Sequence, residues 1–560
     1  MSDADRIPPR TTRKPAAEGT WELSLSEAIS IAIQNSDVIR VLVGPTVAAD
    51  PATIYDPSIS ETQVQVAMAA FDANWSTSLF WSRTDQPPGV TFGGGIPVPN
   101  QRDQASFNSS LTKLFCTGAT GGIAFNTSYL LIPPFPTVTT SPGPDGIFGT
   151  PDDVFTPGIR RTPAQYIPNL EFTLTQPLLK GAGVEFNQAL IRIACIQRDQ
   201  SLWEFKQAVL AQVRSVEEAY WDLLTARGAL QALDAVLPEL EDYTRVWQVK
   251  LEEGAGHLGQ FSEAQTRVNE FRQQHAQALA AVLNREAALR NLMGLSPTDR
   301  RQLVPTSTPS EVPVDIEWTA SVETALSSRP DIVRQRLAVR IRELELLRAN
   351  NAYQPQFDLQ GLWRINGLDN ELDDAIKLVS DNQFTDWQIG LTFSMPLGFR
   401  QAAAEVDAAE LRLDRDHAQL SQSIHATVHQ LAEILRDIDS SAQELKFSEQ
   451  RLKNSRIWAE KAGERARRDQ AGDEISFAQN LYIQALESLR NAIFDNGRVL
   501  SRYNIALARL EEAKGTLLQS RGIVMAEDPT TRVRFRKPCR QSVEMPSGEP
   551  DNKTQHSAIE

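Results

Sequence analysis

The chain is poor in the residues that most chemistry needs. It has 560 residues but only three cysteines and six histidines. Cys116, Cys195 and Cys539 are far apart and odd in number, and no CxxC occurs, so neither a zinc site nor a disulfide framework is indicated. Cationic excess is missing too. The formal net charge is −15, and a nucleic-acid binder needs clustered Lys and Arg against phosphate, so that class is set aside. No apolar run reaches the ~18 residues of a membrane-crossing helix, and mean hydropathy is −0.32. A β-barrel is not excluded by this, because its strands alternate. Residues 1–20 form a polar tail with Arg6, Arg10, Arg13 and Lys14. No apolar segment follows, so a secretory signal is not visible.

What is present is helix. Four long blocks cover about 185–251, 260–292, 401–468 and 475–518. Val209, Val213, Val216, Tyr220 and Leu224 recur at spacings of three and four on the first. Leu420, Ile424, Val428, Leu431, Leu435 and Ile438 do so on the third. At ~1.5 Å per residue the first and third would each reach on the order of 100 Å, which predicts a coiled-coil or barrel-like stack.

Strand patterns precede each pair of helices. Leu170, Phe172 and Leu174 alternate with Glu171, Thr173 and Thr175, and Pro177 closes the run. Trp387, Ile389, Leu391 and Phe393 alternate with Gln388, Gly390, Thr392 and Ser394 ahead of Pro396. A proline ends the hydrogen-bonded ladder and prepares the strand-to-helix junction. Residues 71–82, 105–115, 121–130 and 357–364 carry the same period of two. The segments 86–100 and 133–168 are long and rich in Pro and Gly, whereas 116–121 is a short turn. Long loops on one side and short turns on the other suit an outer-membrane barrel.

The order helix, strand, strand, long helix, turn, helix occurs twice. The helix at Leu25-Ser-Glu-Ala-Ile-Ser-Ile-Ala-Ile-Gln-Asn-Ser36 opens one copy. The stretch Ser321-Val-Glu-Thr-Ala-Leu-Ser-Ser-Arg-Pro-Asp-Ile332 opens the other. Together with Leu174-Thr-Gln-Pro-Leu-Leu-Lys-Gly181 and Asn350-Asn-Ala-Tyr-Gln-Pro-Gln-Phe-Asp-Leu359, this arrangement resembles the TolC family of outer-membrane efflux proteins over roughly 21–518. The expected domains are a tail at 1–20, a first repeat at 21–295, a linker at 296–316, a second repeat at 317–518 and a disordered polar tail at 519–560. Strands fall at about 71–178 and 357–395, and long helices at about 185–292 and 401–518.

The resemblance implies an α+β membrane protein. A long antiparallel α-helical coiled-coil barrel would join a transmembrane β-barrel shared among three subunits. It implies a passive, non-enzymatic exit duct of a tripartite efflux or type I secretion system, placed in the outer membrane and reaching into the periplasm. A homotrimer, a periplasmic adaptor, an inner-membrane pump and outer-membrane lipid are the expected partners, with no cofactor. The alternative is an envelope-spanning structural coiled-coil protein without transport. The family usually offers two strands per half, but the first half here offers four. The added hairpin at 105–130 either enlarges the barrel or decorates its mouth.

The helix-turn-helix tips are the candidate entrance and gate: Glu252, Glu253 and Gly254 on one, Gly472, Asp473 and Glu474 on the other. Gly254 and Gly472 suit helix-ending turns, and the four acids would form a cation-favouring ring when triplicated. The family's gate acids lie slightly inside the second helix, where this chain reads Ile475-Ser-Phe-Ala-Gln-Asn480 with no acid. Other motifs weigh little. Gly254-Ala-Gly-His-Leu-Gly259 matches GxGxxG but follows a helix rather than a strand. His425 and His429 have no third metal ligand in sequence, and Ala426 stands where a zincin needs Glu. Asp145, Asp152 and Asp153 offer calcium-type oxygens in a loop that lacks EF-hand spacing. No Ser-His-Asp, Cys-His or phosphate-cradling arrangement is found.

Overall fold

The computed structural model describes residues 8–44, 46–87, 100–254, 258–468 and 474–524. The first half begins with β1 (Thr20–Leu23), α1 (Leu25–Gln34), β2 (Val38–Val43), β3 (Thr46–Thr53) and α2 (Asp56–Ala69). Strands β4 (Asn74–Gln86), β5 (Asn100–Leu114), β6 (Thr120–Leu131), β7 (Phe135–Ser141), β8 (Val154–Arg160) and β9 (Gln165–Pro177) follow. Helices α3 (Val184–Glu252) and α4 (Leu258–Leu292) complete it. The second half runs β10 (Gln302–Pro305), α5 (Trp318–Ser328), α6 (Pro330–Tyr353), β11 (Gln356–Asn366), α7 (Leu372–Ser380) and β12 (Phe384–Ser394). It ends with α8 (Arg400–Arg468), α9 (Glu474–Lys514) and α10 (Leu517–Ser520). No described helix is long and apolar enough to cross a membrane.

The chain divides into two compact units that alternate along the sequence. Unit 1 holds Met1–Asp56, Leu202–Val333 and Ser423–Glu560; unit 2 holds Pro57–Ser201 and Arg334–Gln422.

Unit 1 is a helical bundle with two small sheets, β1–β10 and β2–β3. Its α3 buries Val209, Val213, Val216, Tyr220 and Leu223, and its α9 buries Val499, Tyr503, Ala506, Leu510 and Ala513. Leu431, Ile438 and Leu445 of α8 recur at sevens. Spacings that average 3.5 are those of a coiled-coil seam. Side-chain pairs set the directions. Arg285–Asp222, His275–Asp234 and Arg272–Glu241 descend on one helix as they rise on the other, so α3 and α4 are antiparallel. Arg502–Glu444 and Arg451–Asp495 do the same for α8 and α9. Ser24 caps the start of α1: its Oγ accepts from the Glu27 amide at 3.2 Å. Beside it β1 pairs in parallel with β10, Leu23 opposite Pro305. The interval 296–316 therefore carries a strand of this unit. Glu286, buried on α4, is met by Arg227 at 2.7 Å, Arg10 at 2.9 Å and Arg290 at 3.5 Å. Such a buried charge is tolerable only with these partners.

Unit 2 is built around one six-stranded sheet in the order β12-β11-β9-β6-β5-β4, every neighbour antiparallel. Hairpin β5–β6 stands inside this sheet between β4 and β9. The Pro/Gly-rich interval 133–168 contains the separate hairpin β7–β8, and the interval between β11 and β12 contains α7. Asp416 of α8 is buried and accepts from Arg342 at 3.0 Å and Arg415 at 3.1 Å. These guanidinium bonds outweigh the cost of burial and hold its carboxyl below the usual range.

Candidate functional site

The six-stranded sheet presents two unlike faces, and the alternation of each strand decides them. Register carries one row across the whole sheet: Trp75, Leu111, Ile123, Phe172, Trp363 and Trp387 stand opposite one another in turn. A parallel row runs Trp81, Ala105, Tyr129 and Tyr166. The small Ala105 lets the rings on either side meet: Trp81 stacks on Tyr129 at 5.5 Å, and Tyr129 meets Tyr166 at 5.1 Å. Phe172 and Trp363 stack at 5.3 Å. These aromatics and the Leu and Ile between them form one apolar face. It is open to solvent, with Trp75 71% and Trp387 74% exposed at the two edges. A soluble protein rarely shows such a surface.

The opposite face is mainly polar, with Phe80 and Ile167 among its apolar members. Ser76 and Ser110 share a hydrogen bond at 2.8 Å, Asn126 donates to Asn169 at 3.0 Å, and Asn108 donates to Asn126. Arg364 bridges Asp386 at 2.9 Å and Glu171 at 3.9 Å. Long connections, 87–99, 132–164 and 367–383, all leave one end of the sheet. The short turn 115–119 and the exits to α3 and α8 lie at the other.

Pro177 is the last residue of β9. After it, Gly181 and Gly183 turn with φ of +85° and +100°. Asn351 fixes the turn from α6: its Oδ1 accepts from the Gly181 amide at 2.7 Å and its Nδ2 donates to the Ala182 carbonyl at 3.1 Å. Asn187, in the first turn of α3, donates to the Gly181 and Gly183 carbonyls at 2.9 and 2.8 Å. Pro396 lies two residues past β12. There Gly398 and Phe399 take the positive φ values, and the Phe399 ring rests on Tyr353 at 5.3 Å. In sequence, Asn351 lies within the stretch 350–359 with no role of its own, and Asn187 lies in no motif; a single Asn gives no periodic signal.

At the first tip, Glu252 ends α3 and accepts from Gln248 at 3.1 Å; Glu253 and Gly254 are exposed. Gly254 takes φ +72°, and its amide reaches the Leu251 carbonyl at 3.2 Å. Residues 255–257, within the GxGxxG match, lie outside the described residues. At the second tip Gly472 and Asp473 lie outside them as well, and Glu474 is the first residue of α9. Asp145 and Asp153 serve their own loop, accepting from the Ile147 amide at 3.0 Å and the Gly149 amide at 2.7 Å. The His425 and His429 rings lie 4.4 Å apart, edge to face. Among the described residues no group of three or more His, Cys, Asp or Glu is placed to hold a metal.

Residues 169–295 and 321–468 match the family model described as outer membrane efflux protein. This chain belongs to that family. The matched segments start within β9 and within α5, so β4, β5 and β6 lie outside them. The chain is 26% identical over 325 residues to the alkaline protease secretion protein AprF of Pseudomonas aeruginosa. That alignment takes in 57% of this chain and 65% of AprF, so the chain spans less than two thirds of this relative. Among solved structures, the outer membrane protein VceC of Vibrio cholerae superposes with a TM-score of 0.58 at 15% identity, covering 88% of this chain and 96% of that one. The CmeC outer membrane channel of Campylobacter jejuni gives 0.56 at 14%, covering 88% and 85%. At such identities the structures speak for the fold: long helices joined to a sheet, α+β.

Proposed function

We propose that this member of the outer membrane efflux family is a passive, non-enzymatic exit duct of an efflux or type I secretion system. The observation that carries the reading is the sheet with one mainly apolar, aromatic-rich face and one mainly polar face. Lipid suits the first and a water-filled lumen the second. An open sheet cannot rest in hydrocarbon with unpaired edges, so several copies close it. Three is the number the family resemblance supplies. Trp75, Trp81, Trp363 and Trp387 then face the bilayer and its interfaces. The long helices of the two repeats assemble into the periplasmic tunnel. An inner-membrane pump supplies the energy through an adaptor that meets the tips at Glu252, Glu253, Gly254, Gly472, Asp473 and Glu474. The relatives, one a secretion protein and others outer-membrane channels, support this reading.

The test is to express the chain, extract it from outer membranes and reconstitute it. The expected result is a detergent-dependent trimer that gives single-channel conductance in planar bilayers. A soluble monomer without conductance would overturn the reading.

A further inference from the structure

We propose that hairpin β5–β6 is part of the membrane wall itself. Six strands from each of three copies then close an eighteen-stranded barrel, in place of the twelve strands that the family's two per half would give. The inference rests on the channel reading above and concerns how wide the channel is.

Three observations carry it. First, the hairpin is hydrogen-bonded on both sides along its length. β5 pairs with β4 from Asn74↔Thr112 to Gln86↔Asn100, and β6 pairs with β9 from Thr120↔Thr175 to Leu130↔Gln165. A mouth ornament would pair only with itself.

Second, its turn is locked to the strand-to-helix junction. The Gly183 amide donates to the Thr117 carbonyl at 3.2 Å. Gly118 sits with φ +91° so close to the junction that an added Cβ would come 2.3 Å from the Gly181 carbonyl oxygen. The hairpin therefore spans the sheet from the long-loop end to the helix end. Its Leu111, Phe107, Ile123, Phe125 and Tyr129 continue the apolar face across the hairpin.

Third, the edges left over fit each other. Five antiparallel steps separate β4 from β12, so the two run in opposite directions. Joining β4 of one copy to β12 of the next keeps every neighbour antiparallel. The seam strands have 13 and 11 residues, and each edge offers about five to seven unpaired N–H groups and as many C=O groups. In hydrocarbon each would cost several kcal/mol unless paired, so the occupant of each edge is a second copy. Adding two strands leaves this seam unchanged, because the strand number stays even.

Spacing and tilt convert the count into a bore. With ~4.7 Å between strands and a tilt of ~40°, eighteen strands give about 35 Å between opposite backbones, against about 24 Å for twelve. After lining side chains are allowed for, the open area is about threefold larger.

The test uses the full chain with Cys116, Cys195 and Cys539 replaced by Ser. Ser78→Cys is combined in turn with Gln388→Cys, Gly390→Cys and Thr392→Cys, all on the polar face of the seam strands. Oxidation of membranes should give at least one pair with chain-to-chain dimers and closed trimers on non-reducing gels. A second variant lacks residues 100–131; β4 and β9 are antiparallel across the gap, so a four-stranded sheet remains. Neutral polymers applied from the barrel side should enter the wild-type lumen at sizes that this variant excludes, with about a threefold difference in accessible area. Absence of any trimer or conductance would defeat the channel reading. A conducting trimer that never cross-links between chains at this seam would overturn the present inference alone. So would a disulfide closing within one chain, or a deletion variant with an unchanged polymer cut-off.

Discussion

Tyr220→Phe removes one oxygen from the middle of unit 1, and its cost can be worked atom by atom. The Tyr220 hydroxyl donates to the Leu23 carbonyl at 2.9 Å and accepts from the Thr306 and Ser307 amides at 3.0 and 2.9 Å. It thereby ties β1, and the chain just past β10, to α3. Not all three contacts are lost equally. The Thr306 amide also reaches the Leu23 carbonyl, at 3.1 Å, so those two groups keep each other. Only the Ser307 amide is orphaned. One net hydrogen bond at about 1 kcal/mol plus one stranded, half-buried N–H at about 1–2 gives about 2–3 kcal/mol.

Tyr503→Phe is the matched control. Its ring is equally buried, and its hydroxyl donates to the Val312 carbonyl at 2.7 Å, but Val312 is 72% exposed, so water can replace the lost partner. That substitution should cost about 1 kcal/mol or less. Hydrogen exchange read by mass spectrometry over peptides spanning 20–25 and 302–307 resolves the two locally. Tyr220→Phe should speed exchange there by about 30- to 150-fold, and Tyr503→Phe should leave those peptides alone. Exchange within about threefold of wild type for Tyr220→Phe would refute the reasoning.

Other expectations concern charge, backbone and lipid. Glu217 is fully buried on α3; burial raises its carboxyl above the ordinary value, and the Arg521 pair at 2.6 Å only partly pulls it back. The folded form thus holds the proton more tightly than the unfolded one, and stability declines as pH rises from the ordinary carboxylate value through the raised one. Arg521→Ala should steepen that decline, and adding Glu217→Gln should flatten it, as read from unfolding midpoints between about pH 4 and 8. Gly118→Ala forces a Cβ into the Gly181 carbonyl at a positive φ and should cost about 2–4 kcal/mol, seen as a lower temperature for loss of the oligomer on gels. Leu391→Arg on the apolar face should lose about 2–4 kcal/mol of membrane stability and deplete the outer-membrane fraction. Thr392→Arg, one residue along on the polar face, should not; equal depletion by both would count against a lipid-facing wall.

Much of this architecture can be read from residue order. The stripe from Val209 to Tyr220 lies on the buried side of α3, and the alternation at 169–176 falls within β9. Both signals are local: side chains repeat because one face meets one environment. Features that depend on distant partners left no such mark. β1 and β10 are four residues each and pair across almost the whole first half. α7 is a nine-residue amphipathic helix within a loop, too short for periodicity to stand out. The hairpin β7–β8 sits among turn-forming Pro and Gly, whose signal overrides that of its strands. The alternation of β5 and β6 announces two strands, yet only register says which strands flank them. At the candidate site the two faces were legible and the Asn351 clamp was not, because its partners are backbone atoms 170 residues away.

The interleaving of the two units has a consequence for how the protein is made. The chain passes between them four times, and neither unit is a continuous piece that a protease or a gene truncation could separate whole. Unit 2 has all its strands once Ser394 has been synthesised, whereas unit 1 still lacks α9, the helix that carries Tyr503 and Leu510. All the strands of the apolar sheet are thus synthesised before the bundle's last helix. For an exit duct of the kind proposed above, the apolar strands would be exported before the bundle is complete, so prompt capture by chaperones is expected to be a condition of survival rather than an aid.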